Sequence, residues 1–168
     1  MKIIIIFISI LSTLTSCSSS FDFNEAEKLI ENLKEDSRIY RLTFTKDLII
    51  INGQKISQDK DEIVNLNENG FNYVYKIDYL KSINVSEKEF DSFLHQFKKT
   101  KAYSVDYLNN KAYFIKDSFL DSSKGYLYSI KDLKRTKENK RNEILLHDGN
   151  ITVTDEVGIN WYEATGWH

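Results

Sequence analysis

The chain has 168 residues, with 23 basic and 25 acidic side chains, three histidines, one cysteine and no proline. That near-balance of charge argues against a nucleic-acid binder, which would be markedly basic. The lone cysteine excludes an internal disulfide framework, and ten tyrosines, ten phenylalanines and two tryptophans favour sheet faces over disorder.

The first element is a targeting segment. Lys2 supplies a positive charge, and Ile3 to Leu14 follow as an uncharged stretch of Ile, Phe and Leu with scattered Ser and Thr. An apolar core of about a dozen residues matches the ~7–15 of a secretory signal. It falls short of the ~20 that a spanning helix needs. The segment ends in Leu14-Thr15-Ser16-Cys17, an aliphatic residue and two small ones before the only cysteine.

Leu14-Thr15-Ser16-Cys17 resembles the lipobox of bacterial lipoproteins. The resemblance covers about the first twenty residues. It implies a diacylglyceryl group on the Cys17 thiol, cleavage between Ser16 and Cys17, and acylation of the freed amine. Each buried acyl CH₂ contributes ~0.8 kcal/mol, so two or more chains hold a protein firmly to a bilayer. This covalent lipid is the one non-protein group expected, with no other cofactor. The family's sorting signals point to the outer membrane, facing the periplasm, rather than to the inner membrane or the cell surface. Ser18 stands where an inner-membrane retention Asp would be, and Ser18 to Phe21 precede the first acid, Asp22.

Removal of residues 1–16 leaves 152 residues, with 22 basic and 25 acidic side chains and a formal charge of −3. A chain of this size buries about 68–70% of its unfolded surface, enough for a core without disulfides. Residues 17–21 read as the lipidated cysteine and a short Ser tether, reaching at most ~17 Å. Residues 22–168 read as a single α+β domain.

Along that domain, Ala26, Leu29, Ile30 and Leu33 recur at helical spacing behind Asp22 or Asn24 as cap. Ile39–Phe44 and Leu48–Ile51 read as strands, and Asn52-Gly53 as a hairpin turn toward Gln54–Ser57. Ile63–Leu66 and Phe71–Ile77 read as further strands, the latter with Phe71, Tyr73, Tyr75 and Ile77 on one face. Ser86-Glu87-Lys88-Glu89 is a capping box, with Val85 and Phe90 placed as its hydrophobic staple. Phe90, Phe93, Leu94 and Phe97 then form an apolar stripe on a helix ending near Lys99. Tyr103–Leu108 and Lys111–Ile115 flank an Asn109-Asn110 turn, and Tyr126–Tyr128 is a short strand. Ile144–His147 and Asn150–Thr154 enclose Asp148-Gly149, and Gly158–Thr165 closes the chain. The sum is an α+β fold: a curved, mainly antiparallel sheet of about eight short strands with two helices, the aromatic-striped one packed on one face.

No catalytic motif stands out. His95, His147 and His168 lack metal-ligand spacing, and no cysteine remains to help them. Gly-x-Ser-x-Gly and the glycine-rich phosphate loops are absent from the sequence. Carboxylate pairs such as Asp117 and Asp121 carry little information among 25 acids. No catalytic residue and no metal ligand is assigned.

Two features suit contacts. Lys134, Arg135, Lys137, Lys140 and Arg141 dominate a basic run that could meet anionic head groups or an acidic partner, or be a solvated loop. Trp167 stands next to the C-terminal residue and is a candidate partner contact. The function expected is a membrane-anchored, non-enzymatic protein-binding module, inhibitor- or immunity-like or an accessory subunit. The alternatives are an enzyme with an unrecognised site and a carrier of a small apolar ligand.

Overall fold

The computed structural model describes residues 20–46, 48–68, 70–119, 122–130, 143–146 and 149–167. The N-terminal apolar segment, the basic run, Asp121, His147, Asp148 and His168 lie outside them. The described residues form an α+β fold with a mostly antiparallel sheet, as the sequence leads one to expect.

Helix α1 is Phe23–Glu35, capped by the Asp22 carboxylate, which accepts from the Glu25 amide at 3.1 Å. Its Ala26, Leu29, Ile30 and Leu33 are all buried. Strands β1 (Arg41–Phe44), β2 (Ile49–Ile51) and β3 (Gln54–Ser57) follow. The β2–β3 turn is the expected one: Asn52 and Gly53 both take positive φ, 51° and 87°. Asn52 also keys the turn to the chain ahead of it. Its side-chain oxygen accepts from the Tyr40 and Arg41 amides, and its NH₂ donates to the Arg38 carbonyl.

The next segment departs from the sequence reading. Lys60–Glu68 is helix α2, not a strand at Ile63–Leu66. The polar stretch ahead of that apolar run supplies the helix start. The Asp59 carboxylate accepts from the Glu62 amide, and the Ser57 hydroxyl bonds the Asp59 amide and the Glu62 carboxylate. α2 is the crossover that lets β4 (Tyr73–Tyr75) pair parallel with β3. The strand expected over Phe71–Ile77 is thus three residues long, and helix α3 (Lys76–Ser82) begins directly after it. Its rings do not form a buried face: Phe71 is half exposed, and Lys55 and Lys60 lie over Phe71, Tyr73 and Tyr75 at 4.7–5.8 Å.

Helix α4 (Glu87–Lys99) matches its sequence signature. Ser86 and Glu89 form both bonds of the capping box. Val85, Phe90 and Phe97 are buried, Phe93 and Leu94 half-buried. Then come β5 (Ser104–Leu108), β6 (Lys111–Phe119), β7 (Ser122–Ser129), β8 (Glu143–Leu146), β9 (Gly149–Gly158) and β10 (Trp161–Trp167). The β6–β7 hairpin is longer than the Lys111–Ile115 and Tyr126–Tyr128 strands expected. The chain does not run as one strand from Gly158 to Thr165 either, because Ile159-Asn160 is a turn joining β9 to β10. Asn160 takes a φ of 64°, which Asn tolerates better than other residues with a Cβ.

The sheet order is β4-β3-β2-β1-β5-β6-β7-β10-β9-β8. Its two faces hold separate cores. On one, α1 and α4 cover Leu42, Val105, Phe114 and Trp161, with Phe90 and Phe97 reaching down from α4. The other holds Tyr113, Leu127, Ile151, Tyr162 and Ala164. That second face is enclosed because the strands curl until β8 approaches β5. A bulge in β6 between Ile115 and Asp117 lies opposite Gly125. A Cβ on Gly125 would stand 1.9 Å from the Phe114 carbonyl oxygen, so only glycine fits there.

Candidate functional site

The strands give the molecule two ends. α1 and α4 run antiparallel, so the start of α1 and the finish of α4 share one of them. There the Asp22 amide donates to the Thr100 carbonyl at 3.0 Å. This is the entry end, where the described chain begins at Ser20.

Phe21, next to Ser20, is 6% exposed. Its ring meets those of Phe23, Phe114, Tyr126 and Trp161 at centroid distances of 4.7–5.7 Å. These tilted and edge-on contacts are the favoured aromatic geometries. The chain is therefore fixed to the fold from Phe21 onward. Around it, Lys98 and Lys99 close α4 and Lys101 follows with φ 64°. The Tyr103 amide donates to the Ile115 carbonyl, which brings the start of β5 against the β6 bulge at Lys116.

Beside Phe21, an open cleft of about 300 Å³ is lined by Lys116, Asp117, Lys124, Tyr126, Glu163 and Thr165, among others. Tyr126 forms its wall and is also the ring packed on Phe21 and Phe23. Among the described residues, Lys99, Lys101, Lys116 and Lys124 form no ion pair within 4 Å. Lys98 lies over the Phe44 ring at 4.2 Å.

At the opposite end, Arg38 is held by carboxylates. The Arg38 guanidinium donates to both Asp36 oxygens, to Glu89 at 3.1 Å and to the Asn84 carbonyl. It joins the end of α1 to the start of α4. The Ser86 hydroxyl and amide, with Arg38, hold the Glu89 carboxyl down at about 2. Arg38 likewise lowers Asp36. A cleft of about 260 Å³ beside Arg38 is lined by these same groups with Ile39, Val85 and Phe93. Its cation is already held by two carboxylates and a carbonyl, so this corner acts as a clasp rather than as an anion receptor.

The sheet's own far tip is apolar. Ile159 is 86% exposed, Ile130 54% and Val157 44%. They are neighbours because Trp161 pairs with both Tyr128 and Gly158, and the Ser129 amide donates to the Asn160 carbonyl.

Of the residues singled out from sequence, Ser16, Cys17, Lys134, Arg135, Lys137, Lys140 and Arg141 lie outside the described residues. The basic run leaves the described chain at Ile130, at the tip. Trp167 ends β10 opposite Ser122, at the entry end. His95 is exposed on α4, and among the described residues no three His, Cys, Asp or Glu side chains gather as a metal site. Asp117 lines the entry-end cleft. The lysines gathered there, and the exposed aliphatics at the tip, were not singled out from sequence. Their spacing in the chain carries no signal, because contacts between elements bring them together: the end of α4 with the β6–β7 hairpin at one end, and Ile130 after β7 with the β9–β10 turn at the other. No described helix is long and apolar enough to cross a membrane. No protein-family model matches the chain, and no curated protein or solved structure matches it.

Proposed function

We propose that the chain is a lipid-anchored envelope protein, held through Cys17 to the outer membrane facing the periplasm, whose domain binds another protein without catalysis. The observation that carries this reading is Leu14-Thr15-Ser16-Cys17 placed four residues ahead of the buried Phe21. A lipid at Cys17 holds the domain against the bilayer. The partner side is supported by the exposed apolar tip of Ile130, Val157 and Ile159, and in the sequence by the basic run with Lys134, Arg135, Lys137, Lys140 and Arg141. Such an exposed apolar patch suits a partner presenting an apolar surface of its own. Such a module would serve as an inhibitor or immunity partner, or as an accessory subunit.

Two experiments test the two halves. Cys17→Ala should move the protein from the membrane to the soluble fraction and abolish incorporation of labelled palmitate. Unchanged fractionation would refute the anchor. A photo-crosslinking residue at Ile159 should capture one stoichiometric partner in intact cells, while the same residue at His95 should not. Equal capture at both positions, or none at Ile159, would refute the tip as the binding surface.

A further inference from the structure

From the geometry of the entry end we infer that one face of the domain, carrying Lys99, Lys101, Lys116 and Lys124 around the point where Ser20 leaves, is built to lie on anionic lipid head groups. The inference rests on lipid attachment at Cys17 and goes beyond it, because an anchor alone does not dictate which face meets the bilayer.

The reach of the chain dictates it. Four peptide steps separate Cys17 from Phe21, which limits their Cα separation to about 14 Å even when fully extended. Phe21 cannot be released to lengthen the tether without breaking its contacts with Phe23, Phe114, Tyr126 and Trp161. The Asp22 amide is bonded to Thr100, so the turn carrying Lys101 stays beside the exit point. The cleft containing Lys116 and Lys124 shares Tyr126 with Phe21 and flanks that point on the other side. A lipid-linked Cys17 sits among the head groups, so the part of the domain nearest to it is this surface.

The charge is of the matching sign. Lys99, Lys101 and Lys124 are exposed and Lys116 is half-buried at the bulge. The acids nearby include Asp22, whose carboxylate caps α1, Asp117 and Glu163 within the cleft, with Asp117 opposite Lys124, and Asp155 opposite Glu163 on β9. Lys99 and Lys101 lie outside the cleft, on the side toward the end of α4. Cations within about a Debye length, ~8 Å at physiological salt, are drawn to an anionic leaflet.

The test uses the full lipidated protein in vesicles containing phosphatidylglycerol, in vesicles of phosphatidylcholine alone, and in detergent micelles. Lysine acylation rates are read residue by residue by mass spectrometry. In the anionic vesicles Lys99, Lys101, Lys116 and Lys124 should react at least about threefold more slowly than in micelles, while the exposed Lys81 and Lys88 at the clasp end keep their micelle rates. In phosphatidylcholine the protection should be weaker. If the protein floats with the vesicles but all six lysines keep their micelle rates, or Lys81 and Lys88 are the protected pair, the face is wrong and the anchor stands. Equal protection in both vesicle types overturns the role of head-group charge. Failure to float at all overturns the anchor and this inference together.

Discussion

The two ends of the α1–α4 pair differ in whether a cation joins the two helices. At the clasp end Arg38 is bonded to Asp36, Glu89 and the Asn84 carbonyl. At the entry end, Lys99, Lys101, Lys116 and Lys124 surround an aromatic cluster and form no ion pair among the described residues. Charges that are paired across elements define the shape of the fold. Charges left facing outward beside a chain entry are available to something else. The contrast predicts that substitutions at the clasp end perturb stability, while those at the entry end leave stability alone and change what the domain touches.

The core beneath both ends sets the upper limit. Phe97→Ala should cost about 3–5 kcal/mol in urea unfolding, since the ring is fully buried against the sheet. A loss under about 1 kcal/mol would mean that α4 does not pack there. Ser86→Ala removes half of the capping box and should cost about 1 kcal/mol, read as a lower urea midpoint at unchanged slope.

Acid should loosen the clasp in a defined window. The folded pKa of Glu89, about 2, lies below its ordinary 4.5, and Asp36 is lowered from 3.8. Both ionised forms therefore add stability above about pH 4.5, and that contribution is lost as pH falls from there toward 2. Glu89→Gln should flatten this part of a pH–stability profile. A profile as steep as that of the unsubstituted protein would place the acid sensitivity elsewhere. The smallest effect belongs to the entry end: Lys99→Ala, Lys116→Ala and Lys124→Ala should each stay within about 0.5 kcal/mol. A larger loss would show that these lysines hold the fold together.

How much of this was legible in the sequence depended on how local the signal was. The capping box at Ser86, the Ala26-Leu29-Ile30-Leu33 stripe and the Asn52-Gly53 turn are each written within a few residues, and each forms as written. α2 was not readable in that way, because Ile63–Leu66 is too short a run for periodicity to separate helix from strand. The Ile159-Asn160 turn was hidden because Ile159, flanked by Gly158 and Trp161, looks like strand interior, while its exposure is set by the β9–β10 register. The entry end was the least legible. Its lysines are gathered by the Asp22–Thr100 bond, the Tyr103–Ile115 bond and a bulge opposite Gly125, all of them contacts between elements.

Mass spectrometry of the mature protein's N-terminal peptide tests the proposed lipid on Cys17. The prediction is a peptide that begins at Cys17 and carries the added mass of a diacylglyceryl group, with or without an amide-linked acyl chain. A mature chain that begins elsewhere, or that carries an unmodified Cys17, would contradict the account.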